Sequence, residues 1–86
     1  MNSTTITLDT TGLLCPLPLI RAQDLAKGLA PGSSFLLLAS DPGVYYDIPA
    51  WCRMHGHEII RVEELSQENV IQMWIRTAEA TNRINE

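Results

Sequence analysis

The stretch Leu8-Asp9-Thr10-Thr11-Gly12-Leu13-Leu14-Cys15-Pro16-Leu17-Pro18-Leu19 carries the chain from one periodicity to another. Ahead of it, Thr5-Ile6-Thr7-Leu8-Asp9 alternates polar and apolar residues, the period of a half-buried strand. Beyond it, Leu19, Ala22, Ala26 and Leu29 step by three and four, with Leu25 beside them. Arg21, Asp24 and Lys27 take the opposite face, as on an amphipathic helix. Thr10 to Leu14, with Gly12, is the turn between. A strand therefore hands over to a helix here, and a thiol stands at the handover.

Working outward, Ala30-Pro31-Gly32 stops the helix. Phe35-Leu36-Leu37-Leu38-Ala39 is apolar on both faces and reads as a central strand. Asp41-Pro42-Gly43 opens a second helix, with a capping residue followed by proline. Asp47-Ile48-Pro49 repeats that signal, so a double start with a kink is expected. Val44, Ile48, Trp51, Cys52 and His55 fall on one face, and Gly56 is the expected C-cap. Glu58 to Glu64 alternates around Ile60 and Val62 as a third strand. Leu65 to Asn69 is a polar turn, and Val70 to Arg76 is a fourth strand with Ile71, Met73 and Ile75 on one face. Met1 to Thr4 and Ala78 to Glu86 read as polar tails.

The order is βαβαββ. A strand-helix-strand unit calls for a right-handed crossover between parallel strands. The final pair, joined by a short turn, should be antiparallel. The expected fold is an α+β two-layer sandwich, with two helices on one face of a four-stranded mixed sheet.

Length bounds the answer to a single domain, 1–86, with a small core. The net charge of −4 argues against direct binding to a nucleic-acid backbone. No segment is apolar for long enough to span a membrane, and Met1 to Thr5 lacks a signal-peptide core. The expected compartment is the cytoplasm. Two cysteines in a reducing compartment do not imply a structural disulfide.

Cys15 precedes a proline and should be non-helical, which suits an N-cap. Pro16 then fits the first helical position, and Pro18 the third. The prolines remove donors, leaving only the Leu17 N–H near the sulfur. A helix N-terminus with few donors depresses a thiol modestly. A drop of about one unit from ~8.5 would leave roughly a quarter ionised at pH 7. The expectation is a reactive but not strongly acidic thiol, held in the open. The plain alternative is a small buried apolar residue beside a helix start.

These residues carry a resemblance. Leu8 through Pro18 resembles the N-terminal signature of the TusA/SirA family of small sulfur carriers. Asp41-Pro42, Asp47-Ile48-Pro49-Ala50-Trp51-Cys52 and Gly56-His57-Glu58 resemble the family's second block, in order and spacing. The resemblance runs from about Thr5 to Arg76. It implies that Cys15 accepts sulfane sulfur as a persulfide from a cysteine desulfurase or rhodanese and passes it to an acceptor protein. That makes the chain a sulfurtransferase-type carrier rather than a stand-alone enzyme. Downstream routes in the family include tRNA thiolation, molybdenum-cofactor enzyme maturation and sulfur oxidation. Two departures blur the branch. Leu14 stands where many relatives are basic, and Leu17 where the tRNA branch is often acidic.

The other candidates read more plainly. Asp9 and Gly12 support the turn that carries Cys15. Cys52 reads first as a core thiol and second as a resolving partner for Cys15. Cys52, His55 and His57 match no established zinc spacing, so no metal is expected, and the histidines read as solvated at a helix end. No cofactor is implied. Trp74 points away from Ile71, Met73 and Ile75, onto the sheet face without helices. Either Phe35, Leu37 and Ala39 or Leu36 and Leu38 must join it there. A monomer or weak dimer is expected. Two rival readings stay open: a thiol-redox protein using Cys15 and Cys52, and a binding module without chemistry.

Overall fold

The computed structural model describes residues 5–78. The tail readings for residues 1–4 and 79–86 lie outside the described residues; Ala78, read as the start of the tail, is instead half-buried and hydrogen-bonded through its N–H to His57. In chain order the elements are β1 (Ile6–Thr10), α1 (Leu17–Lys27), β2 (Ser34–Ala39), α2 (Val44–His55), β3 (Glu58–Leu65), a short 3-10 turn (Ser66–Glu68) and β4 (Val70–Arg76). The sheet order is β1-β2-β4-β3. β1 runs parallel to β2, while β4 is antiparallel to both β2 and β3. This is the expected α+β two-layer sandwich.

Register decides which side chains meet the helices. Leu8 pairs with Leu37, Phe35 with Ile75, Leu37 with Met73, and Ala39 with Ile71. Because side chains alternate along a strand, those residues share one face. Val44, Ile48, Trp51 and Cys52 of α2 close over them, and Ala22 of α1 joins the same core. Phe35, Leu37, Ile48 and Ile75 are fully buried. Each contributes about 1.5–3 kcal/mol of hydrophobic stabilisation. Leu36 and Leu38 therefore stand with Trp74 on the other face, where Leu36 pairs directly with Trp74. The Arg61 guanidinium lies 5.1 Å from the Trp74 ring centroid and covers it in part.

Three local readings change. α2 is one continuous helix with Pro49 inside it, not a helix that starts twice. His55 is exposed rather than part of its buried face. On β3 a bulge falls between Ile59 and Arg61, so Ile59 faces the core and Ile60 is exposed. One extra residue shifts every side chain after it to the opposite face. The C-terminal end of β4 is clasped to the α1–β2 loop. Buried Thr77 donates its hydroxyl toward the Ala30 carbonyl and accepts from the Ser33 N–H, both at 3.1 Å.

Candidate functional site

β1 and β2 are parallel neighbours, so both deliver the chain to the same end of the sheet, where α1 and α2 begin. The loops at residues 11–16 and 40–43 meet there; two hydrogen bonds tie them and a third closes the second loop on itself. Gly12 N–H donates to Ser40 Oγ at 2.8 Å. Cys15 N–H donates to Asp41 Oδ2 at 2.7 Å, and Gly43 N–H donates to Asp41 Oδ1 at 3.0 Å. One carboxylate thus holds the backbone of the thiol residue and the backbone at the start of α2. Those two N–H groups keep the Asp41 carboxyl below the usual carboxylate range, Cys15 more than Gly43.

Asp9 and Gly12 shape the first of these loops. Asp9 Oδ1 accepts from the Thr11 hydroxyl at 2.6 Å and from the Thr11 N–H at 3.0 Å, forming an Asx turn. Both bonds lower the Asp9 pKa, the hydroxyl first. Gly12 has φ of +85°, in the left-handed region that a side chain would strain.

The helix start lies one residue later than its sequence reading. α1 begins at Leu17, with Pro16 at the N-cap and Pro18 buried within the first turn. Leu14 to Leu17 form a turn of their own, closed by the Leu17 N–H on the Leu14 carbonyl at 2.9 Å. The Cys15–Pro16 peptide in that turn is cis. The one donor expected near the sulfur is therefore engaged elsewhere. Instead the sulfur leans over Gly43. A Cβ on Gly43 would lie 2.8 Å from Cys15 Sγ and 3.1 Å from Cys15 Cβ.

The thiol is half-buried here, and its electrostatics reverse the expectation. Burial, the Asp47 carboxylate against the thiol, and the charge of Asp41 together push Cys15 up to about 11. At that value roughly one thiol in ten thousand is ionised at pH 7. Donors that would favour a thiolate are absent from the site, and two carboxylates oppose it. Gly43 and Asp47 were not among the sequence candidates for the site. Asp47 stood out as a helix-start signal and within the second block of the family resemblance, but nothing local tied it to a thiol 32 positions earlier.

The other cysteine sits apart from this chemistry. Cys52 is 3% exposed in the core, and burial alone raises its thiol to about 11. Both cysteines are free. At the C-terminal ends of the helices, Gln23, Ala26, Lys27, Trp51, His55 and His57 line a cleft of about 350 Å³. His57 is not the solvated side chain expected. Its ring lies 4.5 Å from that of Trp51, and its Nδ1 accepts the Ala78 N–H at 2.8 Å. Burial and the neighbouring His55 lower its pKa. Among the described residues, no group of three potential metal ligands converges.

The Cys15 turn, its two-proline exit and the Asp41 tie can now be set beside known proteins. The family model for Sulfurtransferase TusA matches residues 6–77. The chain belongs to the TusA family. The Sulfur carrier protein TusA of Pseudomonas paraeruginosa is 39% identical over 69 residues, covering 80% of this chain and 85% of that protein. Its counterpart in Pseudomonas syringae pv. tomato is 38% identical over 69 residues, covering 80% of each chain. The crystal structure of a SirA-like protein from Desulfitobacterium hafniense superposes with a TM-score of 0.75 at 25% identity. It covers 87% of this chain and the whole of that one. The sulfur-carrier family resemblance read from the sequence thus holds across nearly all of the described residues. As a TusA-family member the chain acts with protein partners. Among the described residues no helix is long and apolar enough to cross a membrane.

Proposed function

We propose that this TusA-family chain relays sulfur on Cys15, taking it from a donor protein as a persulfide and passing it to an acceptor protein. The observation that carries this reading is the placement of the Cys15 sulfur. It is half-buried at the end of the sheet where both helices begin, on a turn pinned by Asp41 and bordered by exposed Leu14 and Leu17. A relay thiol must enter two different active sites in turn, and that requires access above all. Cysteine desulfurases and rhodaneses supply sulfur in the required oxidation state. Thiolation of tRNA and assembly of a molybdenum cofactor are the acceptor chemistries we propose for it, in the cytoplasm.

In the loading step the Cys15 sulfur bonds to the terminal sulfur of the donor persulfide while the donor's S–S bond breaks. The donor sulfur leaves with the bonding pair and takes up the Cys15 proton, so nothing is oxidised or reduced overall. Pro16 and Pro18 fix the exit of the turn, and Asp9 and Gly12 its entry. A redox pairing with Cys52 is disfavoured because that thiol is enclosed by the core.

Incubation with a cysteine desulfurase, cysteine and pyridoxal phosphate, read by intact mass, tests the proposal. The expected result is a gain of one sulfur atom that disappears in Cys15→Ser. A chain that gains none, or a Cys15→Ser variant that still gains it, overturns the assignment.

A further inference from the structure

Exposed apolar side chains flank the Cys15 turn. Leu14 is 71% exposed, Leu17 42% and Tyr46 79%. Leu14 and Leu17 are the two ends of the Cys15–Pro16 turn. Tyr46 stands on the first turn of α2 beside Asp47, and its N–H bonds to the carbonyl of Gly43, the residue beneath the sulfur. Large apolar groups gathered around one reactive atom mark a contact surface.

Two carboxylates share this surface, and they differ in standing. Asp41 is committed, with each oxygen accepting a backbone N–H. Asp47 lies one helical turn on from Gly43, its N–H bonded to the Gly43 carbonyl at 3.0 Å, and its carboxylate is among the groups that raise the Cys15 pKa. The two ion pairs among the described residues, Arg61–Glu63 and Arg76–Glu58, do not involve it. An acid near exposed Leu14, Leu17 and Tyr46, on a chain of net charge −4, is complementary to a cation set in an apolar surround.

We propose that this face is a docking surface for sulfur-relay proteins that present a lysine or arginine inside an apolar mouth. The cation pairs with Asp47 while Leu14, Leu17 and Tyr46 close around the Cys15 sulfur. The inference rests on the carrier reading above and adds to it the kind of partner. Before docking, burial and the carboxylates keep the proton on Cys15, and the thiol reacts slowly with stray electrophiles. On docking, the partner's cation offsets Asp47, and the Cys15 proton can pass to the thiolate leaving the donor.

The test needs no natural partner. In a Cys52→Ala background, the rate of Cys15 modification is measured with two methanethiosulfonates, cationic 2-aminoethyl and anionic 2-sulfonatoethyl. The cation-to-anion rate ratio should exceed that of the same chain unfolded in urea by about 10-fold, and should shrink in 0.5 M NaCl, by the screening expected of exposed charges. Asp47→Asn should cut the ratio by at least about 3-fold, and Asp47→Glu should restore it, as expected for a single charge near the reacting atom. A ratio equal to the unfolded value, or one unchanged by Asp47→Asn, overturns the docking inference. A second arm uses desulfurase-dependent loading. Asp47→Asn should raise the KM for the carrier while speeding reaction with neutral iodoacetamide, and a purely structural role would not move the two in opposite directions. An unchanged KM with normal loading overturns the docking surface and leaves the carrier standing. Failure of the wild type to load overturns the carrier assignment, and the rate ratio still judges the surface.

Discussion

Cys15 and Cys52 are held at the same high pKa, about 11, by different means. At Cys52 the cause is burial in the core, which lasts as long as the fold does. At Cys15 burial is joined by two carboxylates, and a charge can be offset by another charge from outside. One thiol is silenced permanently and the other conditionally. In the relay we propose, the second kind of silence lets the sulfur ignore the surrounding solution and answer a matched partner.

The largest effect that would test this contrast is loss of loading. Cys15→Ser should abolish gain of sulfur from a desulfurase, whereas Cys52→Ala should load like the wild type. Equal loss in both variants would erase the distinction. Next comes reactivity. Iodoacetamide modification of Cys15 should climb with pH well past 9, and Asp47→Asn should speed it by about 3- to 10-fold at pH 8, the effect of up to one pKa unit. Cys52 should stay unreactive in both proteins until they unfold. Stability should follow. A thiol whose pKa is raised by folding supports the fold fully below its unfolded value and loses that support as pH rises through its folded one. The urea midpoint should therefore fall as pH climbs from 9.0 toward about 11. Asp47→Asn should remove only the Cys15 part of that fall.

Smaller still is the effect of filling the space beneath the sulfur. Gly43→Ala places a methyl 2.8 Å from Sγ. It should cost about 1 kcal/mol in urea unfolding and displace the sulfur outward. The smallest expected change lies at the far end of the helices. His57 should titrate below 6.5 by NMR, because its folded pKa is depressed. The stability it contributes is present above 6.5 and is lost as pH falls through the folded value.

The order of elements and the parallel-then-antiparallel sheet were legible because period 2 and period 3.6 alternate cleanly along the chain. Alternation failed at Ile59-Ile60, where two like residues stand together and only the bulge shows which faces inward. The cysteine turn was legible as a feature, since thiol, proline and glycine each restrict the backbone. Its electrostatics were not, because they come from the loop after β2 and the first turn of α2, brought close by the parallel pairing of two strands. A reading confined to the neighbours of Cys15 sees a helix start and infers activation. The fold supplies the opposing acids. His57 was misread for a similar reason, since its partners Trp51 and Ala78 come from two different elements.

The strand order has a further consequence. β4 is the last strand in the chain but lies inside the sheet, between β2 and β3. During synthesis on a ribosome, β2 and β3 each wait with an unpaired edge until residues 70–76 emerge. The sheet that supports the cysteine turn is therefore completed late, and a nascent chain still lacking β4 offers neither partner nor solvent the finished surface. The turn that carries Cys15 is thus supported by a sheet that is complete only when residues 70–76 have joined it.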